Sequence, residues 1–154
     1  MSEDRGQLLI RDLGALLGVP DLALDADGMC TLSTEECPDV VISYFSQASR
    51  FTLSSDLGRI EGDEESTLPS LLQANLDWMS SQGAVLTLRG KQKDDVSLQL
   101  AICTESLEHH ALHGRVIGFM KFAAHWRRNL TAAPEAGAPD SEPASLMIDP
   151  SRLV

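Results

Sequence analysis

Residues 84–102, AVLTLRGKQKDDVSLQLAI, decide the fold class. Ala84, Leu86 and Leu88 alternate with Val85, Thr87 and Arg89, and Val96, Leu98, Leu100 and Ile102 alternate with Ser97, Gln99 and Ala101. A period of two places one apolar and one polar face on each segment, as in a half-buried strand. The polar loop from Gly90 to Asp95 is short enough to turn the chain straight back, so the two strands pair antiparallel.

Working outward, the same reasoning applies upstream. Met29–Leu32, Val40–Phe45 and Arg50–Leu57 read as three more strands, with Asp25-Ala-Asp-Gly28 as a hairpin turn before the first. Residues 3–17 read as a helix. Leu9, Leu13, Leu16 and Leu17 recur at helical spacing, Ser2 is placed to cap, Glu3 and Asp4 favour the first turn, and Gly18 with Pro20 ends it. A second helix is expected from Thr67 as cap through Pro69 in the first turn to Gly83, with Leu71, Leu72, Asn75, Leu76 and Met79 on one face. Gly58 to Thr67 before it reads as an acidic, exposed loop. A third helix is expected from Ser106 to Leu130, with Leu112, Val116, Phe119, Ala123, Trp126 and Leu130 as its apolar stripe. The order is α-β-β-β-α-β-β-α, an α+β fold with an antiparallel sheet of about five strands and three helices.

Composition bounds the function. The chain has 154 residues, 43% hydrophobic and 23% charged, with a formal charge of −11. Such a surface repels phosphate backbones and anionic membranes, which disfavours nucleic acid and membrane as partners. It suits a basic or amphipathic peptide. No apolar run approaches a membrane span, and the polar, acidic start does not resemble a signal peptide, so the expectation is a protein that stays where it is made. Cys30, Cys37 and Cys103 are odd in number and form no C-x-x-C pair, which fits a reducing compartment. Cys30 and Cys103 fall in strands and read as small core residues, whereas Cys37, beside Pro38, reads as exposed.

Residues 131–154 carry four of the seven prolines along with Ala, Gly, Ser and acids, and read as a disordered tail following a domain of residues 1–130. No phosphate loop, dinucleotide fingerprint, nucleophile elbow or zinc-protease motif occurs. His109 and His113, four apart on a helix, could share a metal, but no cysteine has ligand spacing to them, and solvated histidines are the expected reading. No enzyme activity, metal or cofactor is expected.

Several stretches together resemble the type III secretion chaperones of the Tir-chaperone (CesT-like) group over about residues 7–130. They are IRDLGALLG with Val19-Pro20, Leu22-Ala-Leu-Asp25 with Gly28-Met-Cys-Thr-Leu32 as an opening hairpin, Leu71-Leu-Gln-Ala-Asn75, Gly83-Ala-Val-Leu86, and Phe119 to Trp126. The resemblance implies a cytoplasmic bacterial homodimer that binds the extended N-terminal segment of a secreted effector and keeps it export-competent. A secretion ATPase is the downstream partner that it implies. Two alternatives stand beside it: a partner-switching regulator of secretion gene expression on the same fold, and a small heterodimer adaptor. On this reading the second helix makes the dimer contact through Leu72, Leu76, Trp78 and Met79. The effector contacts are Leu8, Met29, Val41 and Phe45.

Overall fold

In a computed structural model of the chain, which describes residues 4–77, 79–91 and 94–131, the element order is the one expected. Helix α1 (Arg5–Leu17) is followed by β1 (Met29–Leu32), β2 (Val40–Phe45) and β3 (Arg50–Arg59). Then come α2 (Glu64–Leu76), β4 (Val85–Arg89), β5 (Asp95–Cys103) and α3 (His109–Thr131). The tail expectation for residues 132–154 and the interface expectation for Trp78 lie outside the described residues.

The five strands form one antiparallel sheet in the order β1-β2-β3-β5-β4. The excursion through α2 places β4 outside β5, so β1 and β4 are the two edges. Alternation sorts the side chains onto two faces. Val40, Ile42, Phe51, Leu53, Leu98, Leu100 and Ile102 are buried on one face, in register across the strands. The helical layer covers this face: α1 contributes Leu9, Ile10 and Leu13, and α3 contributes the six stripe residues named from the sequence, all of them buried. Burying a leucine or phenylalanine of this kind contributes about 1.5–3 kcal/mol.

Local details hold the helices in place. Gly18, at φ 74°, caps α1, with its neighbour Val19 donating a 2.8 Å backbone bond to Gly14. A side chain at Gly6 would meet the Tyr44 ring at 2.3 Å, so the start of α1 lies directly on β2. Arg5 donates to the carbonyls of Thr104 (2.9 Å) and Leu107 (3.2 Å), and the His109 ring meets the Asp12 carboxylate, which ties α1 to the entry of α3.

Several expectations are corrected. Asp4 is the N-cap residue of α1, so it does not lie in the first turn. Helix α2 begins at Glu64, not beyond Thr67: Asp63 caps it by accepting from Glu65 N, and Glu64 and Glu65 favour the positive helix end. Pro69 therefore sits inside the helix, and the helix stops at Leu76, well before Gly83. Cys37 is buried, its thiol donating to Met120 O at 3.3 Å, and Cys103 is the exposed one.

Candidate functional site

Two surfaces are left open by this architecture: the β1 edge with the outer sheet face beside it, and the outward side of α2.

Among the described residues, strand β1 pairs with β2 alone. Tyr44 N donates to Gly28 O at 2.8 Å, which sets the alternation of the ladder. Cys30 and Leu32 therefore bond across to Ile42 and Val40, while Met29 and Thr31 aim their N–H and C=O groups outward. At Met29 both groups are already used. The Asp25 carboxylate accepts from Met29 N at 2.9 Å, and Asp25 N donates to Met29 O at 2.8 Å. The same carboxylate accepts from Asp27 N at 2.9 Å, and Gly28 takes φ 76°. The segment read as an opening hairpin is thus a side-chain-closed turn against one end of the edge, and residues 22–25 form no strand. Thr31 is where the edge stays open. Beside it lies a groove of about 470 Å³, lined by Val19, Leu22, Ala23, Met29, Thr31 and Val41, with Asp21 and Asp25 at its rim.

The structure brings Met29 and Val41 together in this groove. Phe45 is on the same face of β2 but at its far end, 54% exposed beside a second depression of about 520 Å³ with Ala48, Arg50 and Thr52. Leu8 is partly buried on α1, in the layer on the opposite side of the sheet. The other end of the outer face is closed by polar pairs. Arg89 meets Asp56 at 3.0 Å, Arg59 meets Asp94, and the Thr87 and Ser97 hydroxyls are 2.8 Å apart.

The α2 surface has two sides. Leu71 is buried and Leu68 partly so, while Leu72 and Leu76 are each 72% exposed and Met79, in the turn beyond the helix, 75%. Leu71 and Leu72 therefore do not share a face as expected: they point inward and outward. Asn75 fixes this orientation. Its amide donates to Leu86 O at 2.9 Å, and its oxygen accepts from Leu86 N at 2.8 Å. The carboxamide thereby pairs with the outward backbone groups of edge strand β4 as another strand would. Sequence reasoning named Asn75 only as part of a helix signature; its spacing from an edge strand ten residues away carries no pattern.

The two buried thiols are not poised as nucleophiles. Burial, aided by the nearby Asp25 charge, pushes the Cys30 thiol up to about 11. Burial also raises that of Cys37, against the opposing pull of Arg127. Among the described residues no group of His, Cys, Asp and Glu is arranged to hold a metal ion, and no helix is long and apolar enough to cross a membrane.

Residues 8–127 match the model of the Tir chaperone protein (CesT) family. Among solved structures, the chain is similar to the ExsC–ExsE complex, with TM-score 0.69 and 21% identity over 84% of this chain and 97% of that one. It is similar to the HopA1–SchA chaperone–effector complex, with TM-score 0.65 and 19% identity over 80% and 94%. It is also similar to the Yersinia pestis type III secretion chaperone SycH bound to a fragment of YscM2, with TM-score 0.64 and 14% identity over 78% and 98%. No curated protein matches the sequence.

Proposed function

Because the chain belongs to the Tir chaperone protein (CesT) family, we propose that it is a type III secretion chaperone that binds the N-terminal segment of a secreted effector in extended form. The observation that carries this reading to particular residues is the open position at Thr31 beside the Met29–Val41 groove. A peptide strand docking there gains main-chain hydrogen bonds at the edge and seats alternate apolar side chains in the groove. The acidic rim at Asp21 and Asp25, within a chain of formal charge −11, favours a segment carrying basic residues between its apolar ones. The segment orders on binding, so part of the contact energy offsets its lost entropy. Binding, not catalysis, is the proposed role, in the bacterial cytoplasm and upstream of a secretion ATPase.

We further propose that the working form is a homodimer closed through α2. Leu72, Leu76 and Met79 form an apolar stripe that a lone protomer leaves in water. Exposed apolar patches of this kind mark interaction surfaces. Trp78 lies within the same segment.

The test uses Thr31→Pro in the full chain. Proline removes an N–H that faces outward, so the sheet loses no internal bond, while an added strand loses its anchor. The tagged wild type should capture a partner from its own cells as two copies of this chain to one partner. Deleting the first hundred or so residues of that partner should abolish capture, and so should Thr31→Pro with the far-UV spectrum unchanged. Capture that survives both changes would sink the reading.

A further inference from the structure

Building on the homodimer proposed above, we infer that Arg115 on α3 receives a carboxylate from a second copy of this chain, supplied by Asp77 at the end of α2. Arg115 is partly buried. Its Nε is shielded from solvent and, among the described residues, has no hydrogen-bond partner and no ion pair. That is unusual in a chain with 23 acidic and 12 basic residues. Arg5, Arg59 and Arg89 each have partners, and Arg50, Arg127 and Arg128 are exposed, where water suffices. Arg115 alone among these combines partial burial with an unsatisfied donor, and an unsatisfied buried donor carries a desolvation cost that an external acceptor would relieve.

The place is built to be reached from outside. Arg115 lies in an opening of about 480 Å³ walled by Met79, Gln82 and Gly83. Gln82 and Gly83 both take left-handed backbone conformations, at φ 54° and 87°. This brings the Gln82 carboxamide onto Gly118 of α3, where a Cβ would meet it at 3.1 Å. The wall at Met79 is also the end of the exposed stripe of Leu72 and Leu76, so the opening and the stripe are one continuous surface.

A second copy of this chain fits that surface for two reasons. A two-fold dimer buries the same patch of both protomers, so whatever acid the stripe carries is delivered to the partner. That acid is Asp77, exposed between Leu76 and Met79, whose carboxylate makes, among the described residues, only a 3.4 Å contact with Ser80 N. No ion pair joins Asp77 to Arg115 within one protomer. Across the two-fold, a planar guanidinium can hold a carboxylate through two parallel bonds, twice per dimer.

The test is a dilution series of the full chain followed by sedimentation at low and high salt. Arg115→Gln should raise the dimer dissociation constant about tenfold, the level expected for a partly desolvated pair. Asp77→Asn, at an exposed position, should do the same without touching the core, and the double variant should lose no more than either single. Salt should weaken the wild-type dimer more than either variant. A dissociation constant within twofold of wild type for Arg115→Gln, or losses that multiply in the double variant, would overturn the pairing while leaving the dimer in place. A wild-type chain that stays monomeric at high concentration would overturn the dimer itself and the pairing with it.

Discussion

Replacing Asn75 with alanine should destabilise the domain by about 2–3 kcal/mol, through strand β4 and not through the helix that carries the change. Alanine is the better helix former, so local propensity predicts a gain of several tenths of a kcal/mol. The structure predicts the opposite. The substitution deletes the 2.8 Å and 2.9 Å bonds to Leu86 N and O, which leaves both backbone groups of an edge residue without a partner. Each such bond contributes about 1 kcal/mol net, and the half-buried setting raises the cost of leaving the groups bare. For a domain of this size the loss corresponds to a fall in Tm of about 6–12 °C. Urea unfolding followed by far-UV circular dichroism, at one fixed protein concentration because a dimer, as proposed, contributes by mass action, reads the difference directly. Asn75→Asp is the diagnostic companion. A carboxylate still accepts from Leu86 N but turns a second oxygen toward Leu86 O, so it should lose at least as much as alanine. An Asn75→Ala protein within about 0.5 kcal/mol of wild type would refute the clasp as a structural element.

Two further outcomes follow. Leu72→Ser with Leu76→Ser should convert the proposed dimer to a folded monomer in light scattering, with little change in the far-UV spectrum, because both side chains are 72% exposed in the protomer; a dimer that persists would place the interface elsewhere. The Cys30 thiol, held at about 11 when folded, keeps its proton while the unfolded thiol ionises near 9, so the unfolded state gains and the urea midpoint should fall between pH 9 and about 11. Cys30→Ala should remove that part of the fall, and an identical pH profile in the variant would contradict the assignment.

Much of this was legible in the sequence, and the misses have definite causes. The α3 stripe was read residue for residue because a long helix that buries one side repeats its period six times. The β3 and β5 strands were legible for the same reason, since apolar residues recur at nearly every second position of both against a covered face. Helix α2 was misread because it is short and apolar on two sides. Leu71 and Leu72 are neighbours in sequence but a hundred degrees apart on the helix, and only the contact with β4 says which of them is inside. Its start was misplaced because Thr67 with Pro69 is a good cap signal, yet Asp63 followed by two glutamates is a better one. Cys37 and Cys103 exchanged places for a related reason. A loop residue can be tucked under a helix, and a strand residue has even odds of facing outward.

The two sheet edges carry the functional argument furthest. An exposed edge is a template for unwanted pairing, and a chain that binds extended segments must close its edges everywhere but at the intended place. Here the closures are made by side chains. Asn75 occupies the backbone of Leu86 on β4, and Asp25 occupies that of Met29 on β1. What remains open on β1 is the position at Thr31, two residues from the Asp25 closure and level with Val41 on the neighbouring strand. On the proposed function, an effector strand added there can slide no further toward Gly28, because both backbone groups of Met29 are already bonded to Asp25. Its register is therefore set by Asp25, and the side chain opposite the Met29–Val41 groove is fixed by that stop. Alternation then decides which residues of the incoming segment must be apolar. On that proposal, a binding site without a deep pocket reads an extended segment with some selectivity: the backbone supplies the adhesion, and the end of the free edge supplies the frame.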